Sequence, residues 1–281
     1  YSMKKKLKPK FFLVDHKLRP ESSKEAKTVK SLLKKNDINL EILIWRGKKP
    51  TKNIQSIARK KRLDLLFSKW DKLNVKRILL GHHQDDFFEN FFIRLLRGSG
   101  LKGLISSDKE SKINGKVLMR PLLDLTKDDL IYISKNVFNF YVQDPTNNDE
   151  KYQRIKMRKL ISEFEKNGLD KNKLFNTVKN LKFSNAVVEF YVKENLKKNT
   201  FFSLKNKRLI LNKSFFVQPY EIIFRSLSQS ITLVGKKYYS ARGKKLDRII
   251  ENIKKKLSFK ATLGGCIIEK VNQSVIISKE H

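Results

Sequence analysis

The stretch from residue 77 to residue 104, RILLGHHQDDFFENFFIRLLRGSGLKGL, constrains the fold more than any other part of the chain. A short apolar run at 77–80 leads through Gly81 into a segment whose phenylalanines and leucines recur at helical spacing. This pattern predicts a buried strand followed directly by an amphipathic helix. Two strand–helix pairs precede it without a hairpin signal, with strands at 11–14 and 38–45. The alternation predicts an α/β fold built on a doubly wound parallel sheet.

Charged residues collect where the third strand passes into its helix. His82, His83 and Asp85 lie in or next to the turn, and helical spacing places Asp86 and Glu89 on one face of the helix. Open α/β sheets keep their ligands at the carboxyl ends of the strands, so this cluster is the candidate site. A capping box formed by Asp86 and Glu89 is the alternative interpretation of the two carboxylates.

The charge balance indicates a polyanionic partner. The 281 residues contain 63 Lys and Arg against 28 Asp and Glu, and a net charge of +35 attracts nucleic acid first and anionic membrane second. A lysine-rich habit of the source organism is the alternative. No apolar run approaches the roughly 20 residues that span a bilayer and no signal-peptide pattern is present, so we expect a cytoplasmic protein without a membrane partner. The single cysteine, Cys266, excludes an internal disulfide and a cysteine-based metal cluster.

The central stretch resembles the signature of the tRNA(Ile)-lysidine synthetases, which belong to the N-type ATP pyrophosphatases, or PP-loop family. That signature reads His-His-x-Asp-Asp-x-x-Glu-Thr, followed by Leu-Arg-Gly-x-Gly-Leu-x-Gly-Leu. The matching positions are His82, His83, Asp85, Asp86, Glu89 and residues 96–104. Asn90 stands where the family has threonine.

Other parts of the chain resemble the same family. The first strand ends in Asp15 and His16, as the family's Val-Asp-His-Gly-Leu-Arg segment does, although Lys17 replaces the glycine. Arg59 and Arg62 fit the Ala-Arg-x-x-Arg pattern of the second helix. The remaining matches are residues 144–147, Asp149, Tyr152, Arg154 and Arg158.

The resemblance implies a Rossmann-like ATP pyrophosphatase domain over residues 1–160 and a mainly helical, basic tRNA-recognition domain over residues 161–281. The second region is rich in lysine and poor in strand patterns. Its aromatic residues recur at helical spacing, which favours core positions over base-stacking platforms. These residues are Phe175, Phe183, Phe190 and Tyr191.

The resemblance also implies a ligase that joins free L-lysine to the wobble cytidine of the tRNA(Ile) with a CAU anticodon, using ATP and magnesium. ATP first adenylates the cytidine, and the lysine amine then displaces AMP. We expect the catalytic residues to be Asp86, Glu89, Arg62, Arg154 and His83. We expect the substrates to contact His82, Asp85, Arg97, Ser99, Arg59 and Arg158. No residue is assigned to the metal.

Each expected role has a chemical reason. The paired carboxylates Asp86 and Glu89 suit a lysine ammonium, and Arg62 and Arg154 suit the phosphates and an anionic intermediate. Because the carboxylates raise the pKa of the amine, a base must remove a proton before attack. Either histidine of the 82–83 pair could be that base, and a structural or ATP-contacting role is an equal alternative for both.

One family feature is absent from the 281 residues, namely the Ser-Gly-Gly-x-Asp-Ser loop whose backbone N–H groups hold the ATP phosphates. We therefore expect an amino-terminal truncation of a longer protein, with gene decay as the lesser alternative. Asp15 and His16 are the candidates for nucleotide contacts within this chain. The alternative functions are a non-catalytic tRNA-binding remnant and a related tRNA-thiolating enzyme. Such thiolases rely on cysteine pairs, which a lone Cys266 does not provide.

Overall fold

The structure is a computed structural model, and it divides the chain into two compact units, Tyr1–Leu169 and Asp170–His281. It describes residues 8–52, 54–75, 77–106, 109–113, 115–142, 153–203, 208–236 and 243–280. A helix runs through residue 161, where the sequence predicts the second domain to begin, and the division between the units falls after Leu169.

In the first unit strands alternate with helices along the chain. The strands are β1 (Phe11–Asp15), β2 (Leu40–Ile44), β3 (Arg77–Leu79), β4 (Glu110–Ile113) and β5 (Lys116–Met119). The helices are α1 (Ser22–Lys35), α2 (Ile54–Leu73), α3 (Gln84–Leu96), α4 (Leu101–Leu104), α5 (Lys127–Phe138) and α6 (Gln153–Lys166).

The strand pairing in this unit is mainly parallel. β1 pairs with β2 in parallel, with Asp15 opposite Ile44, and β3 pairs with β5 in parallel, with Leu79 opposite Met119. Parallel neighbours joined by helices are the expected result of strand–helix alternation, and the predicted α/β class is confirmed. β4 adds an antiparallel edge to β5, which the sequence does not predict because β4 reads Glu-Ser-Lys-Ile and has no apolar run.

Helix α3 is fixed by its apolar face. Phe87, Phe88 and Phe91 are buried, and Phe88 is completely inaccessible to solvent. Full burial of one such side chain contributes roughly 1.5–3 kcal/mol relative to leaving it exposed. The helix therefore has little freedom to rotate, and its polar residues hold fixed directions.

The second unit combines three helices with one antiparallel sheet. The helices are α7 (Lys171–Asn199), α8 (Tyr220–Gly235) and α9 (Gly243–Lys255). The strands are β6 (Thr200–Ser203), β7 (Arg208–Leu211), β8 (Phe259–Leu263), β9 (Cys266–Val271) and β10 (Ser274–Lys279). The sheet order is β6-β7-β10-β9-β8, so the region holds more sheet than its short strand patterns suggest.

The sheet and two of these helices enclose one apolar core. Ile223 and Leu227 of α8, Leu246 of α9 and Ile277 of β10 are all completely buried within it. Cys266, the single cysteine of the chain, lies in the same core with no exposed surface.

Helix α7 turns three of its aromatic residues outward, and the prediction that they belong to the core is wrong. The exposed fraction is 62% for Phe183, 59% for Phe190 and 55% for Tyr191. Val178 and Val192, on the other side of the helix, are the residues that are buried. Helical spacing alone could not identify the buried side, because α7 carries apolar residues on both.

None of the helices among the described residues is both long enough and apolar enough to cross a membrane.

Candidate active site

The loop after β3 and the first turns of α3 hold most of the residues that the sequence singles out. His83 is the cap residue of α3, and its backbone N–H donates to Asp86 Oδ2 at 3.2 Å. The capping interaction therefore joins Asp86 to the cap residue and leaves Glu89 outside it. The Asp86 side chain keeps 14% of its surface exposed, so it can both cap the helix and meet a ligand.

Glu89 lies one turn further along α3 and is fully buried. Its Oε1 atom accepts a hydrogen bond from Arg158 Nε of α6, while its Oε2 atom has no hydrogen-bond partner among the described residues. Burial raises the pKa of this carboxyl, and the nearby Arg158 guanidinium opposes that rise. A buried carboxylate oxygen without a partner is costly, so this atom is a point at which a cationic ligand would be stabilised.

Arg154 stands between the two carboxylates. Its Nη1 atom lies 4.0 Å from Asp86 Oδ1, and its Nε atom lies 4.0 Å from Glu89 Oε2. Both distances are longer than hydrogen bonds, so the Arg154 guanidinium compensates the charge of the two carboxylates without bonding directly to either. The sequence predicts that Arg154 and the two carboxylates serve one site, and the packing of α6 against α3 brings them together.

Two arginines of α2 approach the same place. Burial and then the charge of Arg154 lower the pKa of Arg62, while Asp86 raises it. The Nε atom of Arg62 is buried and has no hydrogen-bond partner within the described part of the chain. Burial also lowers the pKa of Arg59, followed by the charges of Arg154, Arg62, Arg120 and Arg94. Several cations held this close together favour binding of an anion such as a phosphate group.

The two histidines differ in their electrostatics. Burial lowers the pKa of His82 to about 4, opposed by Asp86, with Arg62 and other cations adding to the decrease. A hydrogen bond with Asp85 raises the pKa of His83, and the Asp86 charge adds to the rise. His82 is therefore neutral near pH 7. His83 has the pKa better suited to a group that accepts a proton.

Asp85 connects α3 to α5. Its Oδ2 atom accepts a hydrogen bond from the backbone N–H of Lys127 at 3.0 Å and lies 3.4 Å from His83 Nδ1. These contacts orient the His83 ring, so Asp85 acts on the site through His83.

Asp15 and His16 lie at the carboxyl end of β1. Although burial raises the pKa of Asp15, hydrogen bonds from Ser23 Oγ at 2.6 Å, the Lys17 backbone and Ser22 Oγ lower it overall. The Asp15 carboxylate is thus occupied with fixing the start of α1. The His16 ring packs edge-on against Trp45 at 6.2 Å, and burial followed by the charge of Arg62 lowers its pKa.

Arg97 and Ser99 lie at the far end of α3. Arg97 follows Asp86 by eleven positions, which corresponds to about 16 Å along the helix axis. Arg97 donates to Gln153 Oε1 at 2.7 Å, and Ser99 packs in the turn beneath Gly103. The structure therefore does not bring these two predicted substrate contacts to the carboxylates.

Candidate residues line three cavities among the described residues. One of about 630 Å³ lies between β1 and β3 and reaches Arg62, His82, Asp86 and Arg154. A second, of about 540 Å³, lies beside Asp15 and is also lined by Arg154. The third is a small polar cavity of about 40 Å³, and its lining residues are Arg59, His82, Asp86, Phe87, Asn90, Arg94, Ser106, Arg120 and Leu123.

Sequence reasoning missed Arg120. It is only 8% exposed, donates to Ser111 Oγ at 3.0 Å and lines the small polar cavity beside His82 and Asp86. In the sequence it follows the apolar run at 117–119 and directly precedes Pro121, and this position at the end of a strand is the signal that could have identified it. Arg94 was missed for a similar reason, since it lies among the leucines of α3 and donates to the Gly103 carbonyl.

Part of the predicted site is not covered. Residues 144–147, Asp149 and Tyr152 lie outside the described residues. Among the residues that are described, no three histidine, cysteine, aspartate or glutamate side chains are grouped as a metal site.

The chain is similar to known proteins over most of its length. Residues 1–164 match the family model of the PP-loop domain. The chain is 34% identical to a tRNA(Ile)-lysidine synthase of Wolbachia sp. subsp. Brugia malayi over 95% of its own length and 62% of that relative. It is 30% identical to the tRNA(Ile)-lysidine synthase of Bradyrhizobium sp. (strain BTAi1), over 94% of the chain and 79% of that relative. The chain thus spans less than two thirds of the length of the Wolbachia relatives it matches.

A solved structure shares the fold. It is the U34-tRNA thiolase NcsA from Methanococcus maripaludis with its 4Fe-4S cluster, with a TM-score of 0.52 and 13% sequence identity. The similarity covers 63% of this chain and 62% of that one, and at this identity it concerns the fold alone. The domain match over residues 1–164 and the relatives that align with nearly the whole sequence carry the assignment: the chain belongs to the PP-loop family and, within it, to the tRNA(Ile)-lysidine synthases.

Proposed function

We propose that this chain provides the lysine site and the tRNA-recognition region of an ATP-dependent ligase. The ligase joins free L-lysine to carbon 2 of the wobble cytidine of the tRNA(Ile) with a CAU anticodon. The observation that carries the proposal is the set of buried polar atoms without hydrogen-bond partners around Asp86, within the described residues. These atoms are Arg62 Nε, His82 Nδ1 and Glu89 Oε2. Cationic and anionic side chains lie side by side there. The proposed reaction needs both, because it binds a lysine ammonium and anionic phosphates.

The reaction has two steps in which the bonds balance. The oxygen on carbon 2 of the cytosine attacks the α-phosphorus of ATP, and pyrophosphate leaves. The ε-amine of lysine then attacks carbon 2, the carbon–oxygen bond breaks, and AMP leaves with that oxygen. The first step needs charge neutralisation of the phosphates, and the second needs a bound lysine that has lost a proton.

The lysine ammonium would lie between Asp86 and the free oxygen of Glu89. Arg154 now approaches both atoms to 4.0 Å, so an arriving ammonium would take over its neutralising role. The guanidinium, with 31% of the Arg154 side chain exposed, is then available for an anionic group. Arg158 would hold Glu89 in place through its own hydrogen bond.

His83 is the proposed base for the ammonium proton. Its hydrogen bond with Asp85 raises its pKa, whereas the pKa of His82 is about 4, too low for an effective base near neutral pH. His82 would instead present a neutral ring to the nucleotide or the cytosine.

The arginines would bind the phosphates of ATP and the adenylated cytidine. Arg62 and Arg154 line the larger cavity, and Arg59 with Arg120 lines the small polar one. A magnesium ion bound with the nucleotide would neutralise the departing pyrophosphate, as in other phosphoryl-group reactions. Magnesium held through phosphates needs only one or two protein carboxylates, and the partly exposed Asp86 would serve it in the first step, before the lysine ammonium lies there in the second.

The tRNA is the remaining substrate. The wobble base lies in an anticodon loop and is unpaired, so moving it into a pocket costs little. The net charge of +35 supports an affinity for the phosphate backbone that falls as salt rises.

Specific observations bear on two functions that are alternatives to the ligase. The 281 residues contain no Ser-Gly-Gly-x-Asp-Ser loop, which leaves a non-catalytic tRNA-binding protein as an alternative. A thiolase needs accessible cysteines, and Cys266 is completely buried, with its Sγ donating to the Ile231 carbonyl at 3.3 Å. The burial of this thiol weighs against thiolation chemistry.

The test is a lysidine assay with ATP, lysine and a tRNA transcript carrying the CAU anticodon. Nucleosides from the digested tRNA are analysed by mass spectrometry, with the same tRNA carrying a uridine at the wobble position as the control. The chain is assayed alone and, where its reading frame extends upstream, also joined to that upstream segment. Lysidine from either form supports the ligase. Tight tRNA binding with no lysidine from either form would establish the non-catalytic alternative.

A further inference from the structure

The exposed side of α7 carries an apolar surface that the proposed reaction does not use. This aromatic face of α7 consists of Phe183, Val187, Phe190 and Tyr191, each at least 55% exposed. Residues spaced by three, four and seven positions lie on one side of a helix, so the four side chains form one stripe. Contiguous exposed apolar patches of this kind mark interaction sites in soluble proteins.

The opposite side of α7 is held in place by α8. Arg225 is only 5% exposed, and its Nη1 atom donates to Asn185 Oδ1 at 2.6 Å and to Glu189 Oε1 at 3.1 Å. Further along α7, Asn195 donates to Ser226 Oγ at 3.2 Å. These buried polar contacts fix the rotation of α7 about its axis. The aromatic face is therefore directed outward by the packing and is preorganised for a partner.

The charges around the aromatic face favour an anion. Lys179 Nζ lies 5.9 Å from the centre of the Phe183 ring, and Lys193 and Lys197 are exposed on the same helix. The two glutamates of α7 are already neutralised, because Glu189 pairs with Arg225 and Glu194 lies 2.8 Å from Lys198 Nζ. The helix thus presents aromatic rings between cations.

We propose that the aromatic face of α7 stacks on unpaired bases of an RNA while the neighbouring lysines contact its phosphates. The rings of Phe190 and Tyr191 lie 5.4 Å apart and nearly perpendicular, so they offer two differently oriented planes. Proteins that bind single-stranded nucleic acid combine aromatic platforms with cations in this way. A second copy of this chain would bring another +35 of like charge and is disfavoured as the partner. The inference rests on the proposed function, since it assigns part of the tRNA contact.

The experiment measures tRNA affinity of the full chain by fluorescence anisotropy, without ATP or lysine. Phe190→Ala and Phe183→Ala should each weaken binding about five- to 150-fold, the range for loss of one stacked base. Phe190→Leu keeps apolar surface but loses the ring, and we expect it to weaken binding as well. Phe190→Trp should bind as well as the wild type or better. Tyr132→Ala is the control, because Tyr132 is 71% exposed on α5 and belongs to the first unit, whereas the aromatic face belongs to the second.

Salt titration separates stacking from charge. Phe190→Ala should leave the slope of log affinity against log salt unchanged, since that slope counts phosphate contacts. Lys179→Gln should lower the slope by about 0.7 to 0.9. Circular dichroism confirms that each variant keeps its fold, which substitution of exposed side chains should permit.

Several outcomes would overturn the inference. One is wild-type tRNA affinity in both alanine variants, and another is full affinity in Phe190→Leu, which would point to an apolar protein partner. If Phe190→Ala abolishes co-sedimentation with vesicles of phosphatidylcholine and phosphatidylserine but not tRNA binding, the face is a membrane contact. A wild-type dimer that Phe190→Ala dissociates, seen by sedimentation at unchanged tRNA affinity, would assign the face to self-association. Each of these outcomes is compatible with lysidine formation. Conversely, if tRNA binding depends on the aromatic rings but no lysidine forms, only the proposed ligase activity is refuted.

Discussion

At the scale of single residues, the site is defined by an imbalance between buried charges and their partners. One carboxylate oxygen of Glu89 accepts a hydrogen bond from Arg158, and the other has no hydrogen-bond partner among the described residues, although Glu89 is fully buried. Arg154 remains 4.0 Å away and so compensates the charge only in part. The open geometry is a functional feature under the proposed reaction.

Replacing Glu89 by glutamine tests that interpretation. We expect Glu89→Gln to raise the KM for lysine about ten- to a hundredfold, because a charge-assisted hydrogen bond is worth roughly 1.5–3 kcal/mol. The affinity for tRNA should change little. Steady-state kinetics and a tRNA binding titration provide the two numbers. Glu25→Gln is the matched control, since Glu25 pairs with Arg19 at 2.9 Å outside the carboxylate cluster. Unchanged lysine kinetics in Glu89→Gln would limit this residue to a structural role.

The depressed pKa of His82 predicts a pH dependence of stability. The unfolded histidine titrates near pH 6.5 and the folded one near pH 4, so the unfolded state binds more protons in between. The free energy of unfolding should therefore be highest above pH 6.5 and fall as pH decreases towards 4, by up to about 3 kcal/mol from this residue.

Urea titrations followed by tryptophan fluorescence can measure this effect in the first unit, which contains Trp45 and Trp70, the only two tryptophans of the chain. His82→Asn should lose less stability than the wild type between pH 7 and pH 5. Equal losses in the two proteins would show that other groups cause the acid sensitivity.

At the scale of elements, the turn from α3 to α4 shows how a family signature can serve the fold. A Cβ atom on Gly103 would lie 2.9 Å from Ser99 Cβ, and Arg94 Nη1 donates to the Gly103 carbonyl at 2.8 Å. Gly98 has a φ of +66°, a conformation that L-residues rarely adopt. The glycines permit the close turn, which explains why Ser99 and Arg97 lie away from the carboxylates.

Gly103→Ala should destabilise the first unit by about 1–3 kcal/mol, the usual effect of forcing one extra carbon into a packed region. Gly100→Ala is the matched control, because its Cβ would meet no atom within 4 Å and its φ is negative. Urea unfolding followed by tryptophan fluorescence compares the two. Similar midpoints for both variants would contradict the packing argument.

At the scale of the whole molecule, the local sequence pattern predicts where helices and strands lie, whereas tertiary contacts determine which side chains are buried. The strand–turn–helix at His82 and His83 was predictable because apolar periodicity changes there from strand to helix. The outward direction of Phe183 was not predictable, because contacts with α8, such as that of Asn185 with Arg225, select the buried side of α7. Arg120 was missed because its burial depends on β4 and on Ser111. The sequence thus identifies the elements, but the face of each element that is buried depends on the elements packed against it.

The second unit should fold and bind tRNA by itself. It has its own core, which includes Ile223, Leu246 and Ile277, so a fragment of residues 170–281 should unfold cooperatively. Its log affinity for tRNA should fall linearly with log salt and should differ little between tRNAs, since phosphate contacts carry no sequence information. Filter binding with tRNA(Ile) and an unrelated tRNA at several salt concentrations measures both. A salt-independent affinity, or none, would assign the tRNA contact to the first unit.

The burial of Cys266 makes the reactivity of its thiol a measure of how often the second unit opens. A thiol in the core of the second unit can react with a soluble disulfide reagent only when that unit opens, so its reaction rate reports the opening equilibrium under native conditions. The tryptophans report only on the first unit. One sample of the unaltered chain, treated with that reagent, can therefore tell whether a bound tRNA slows the opening of the first unit, of the second, or of both.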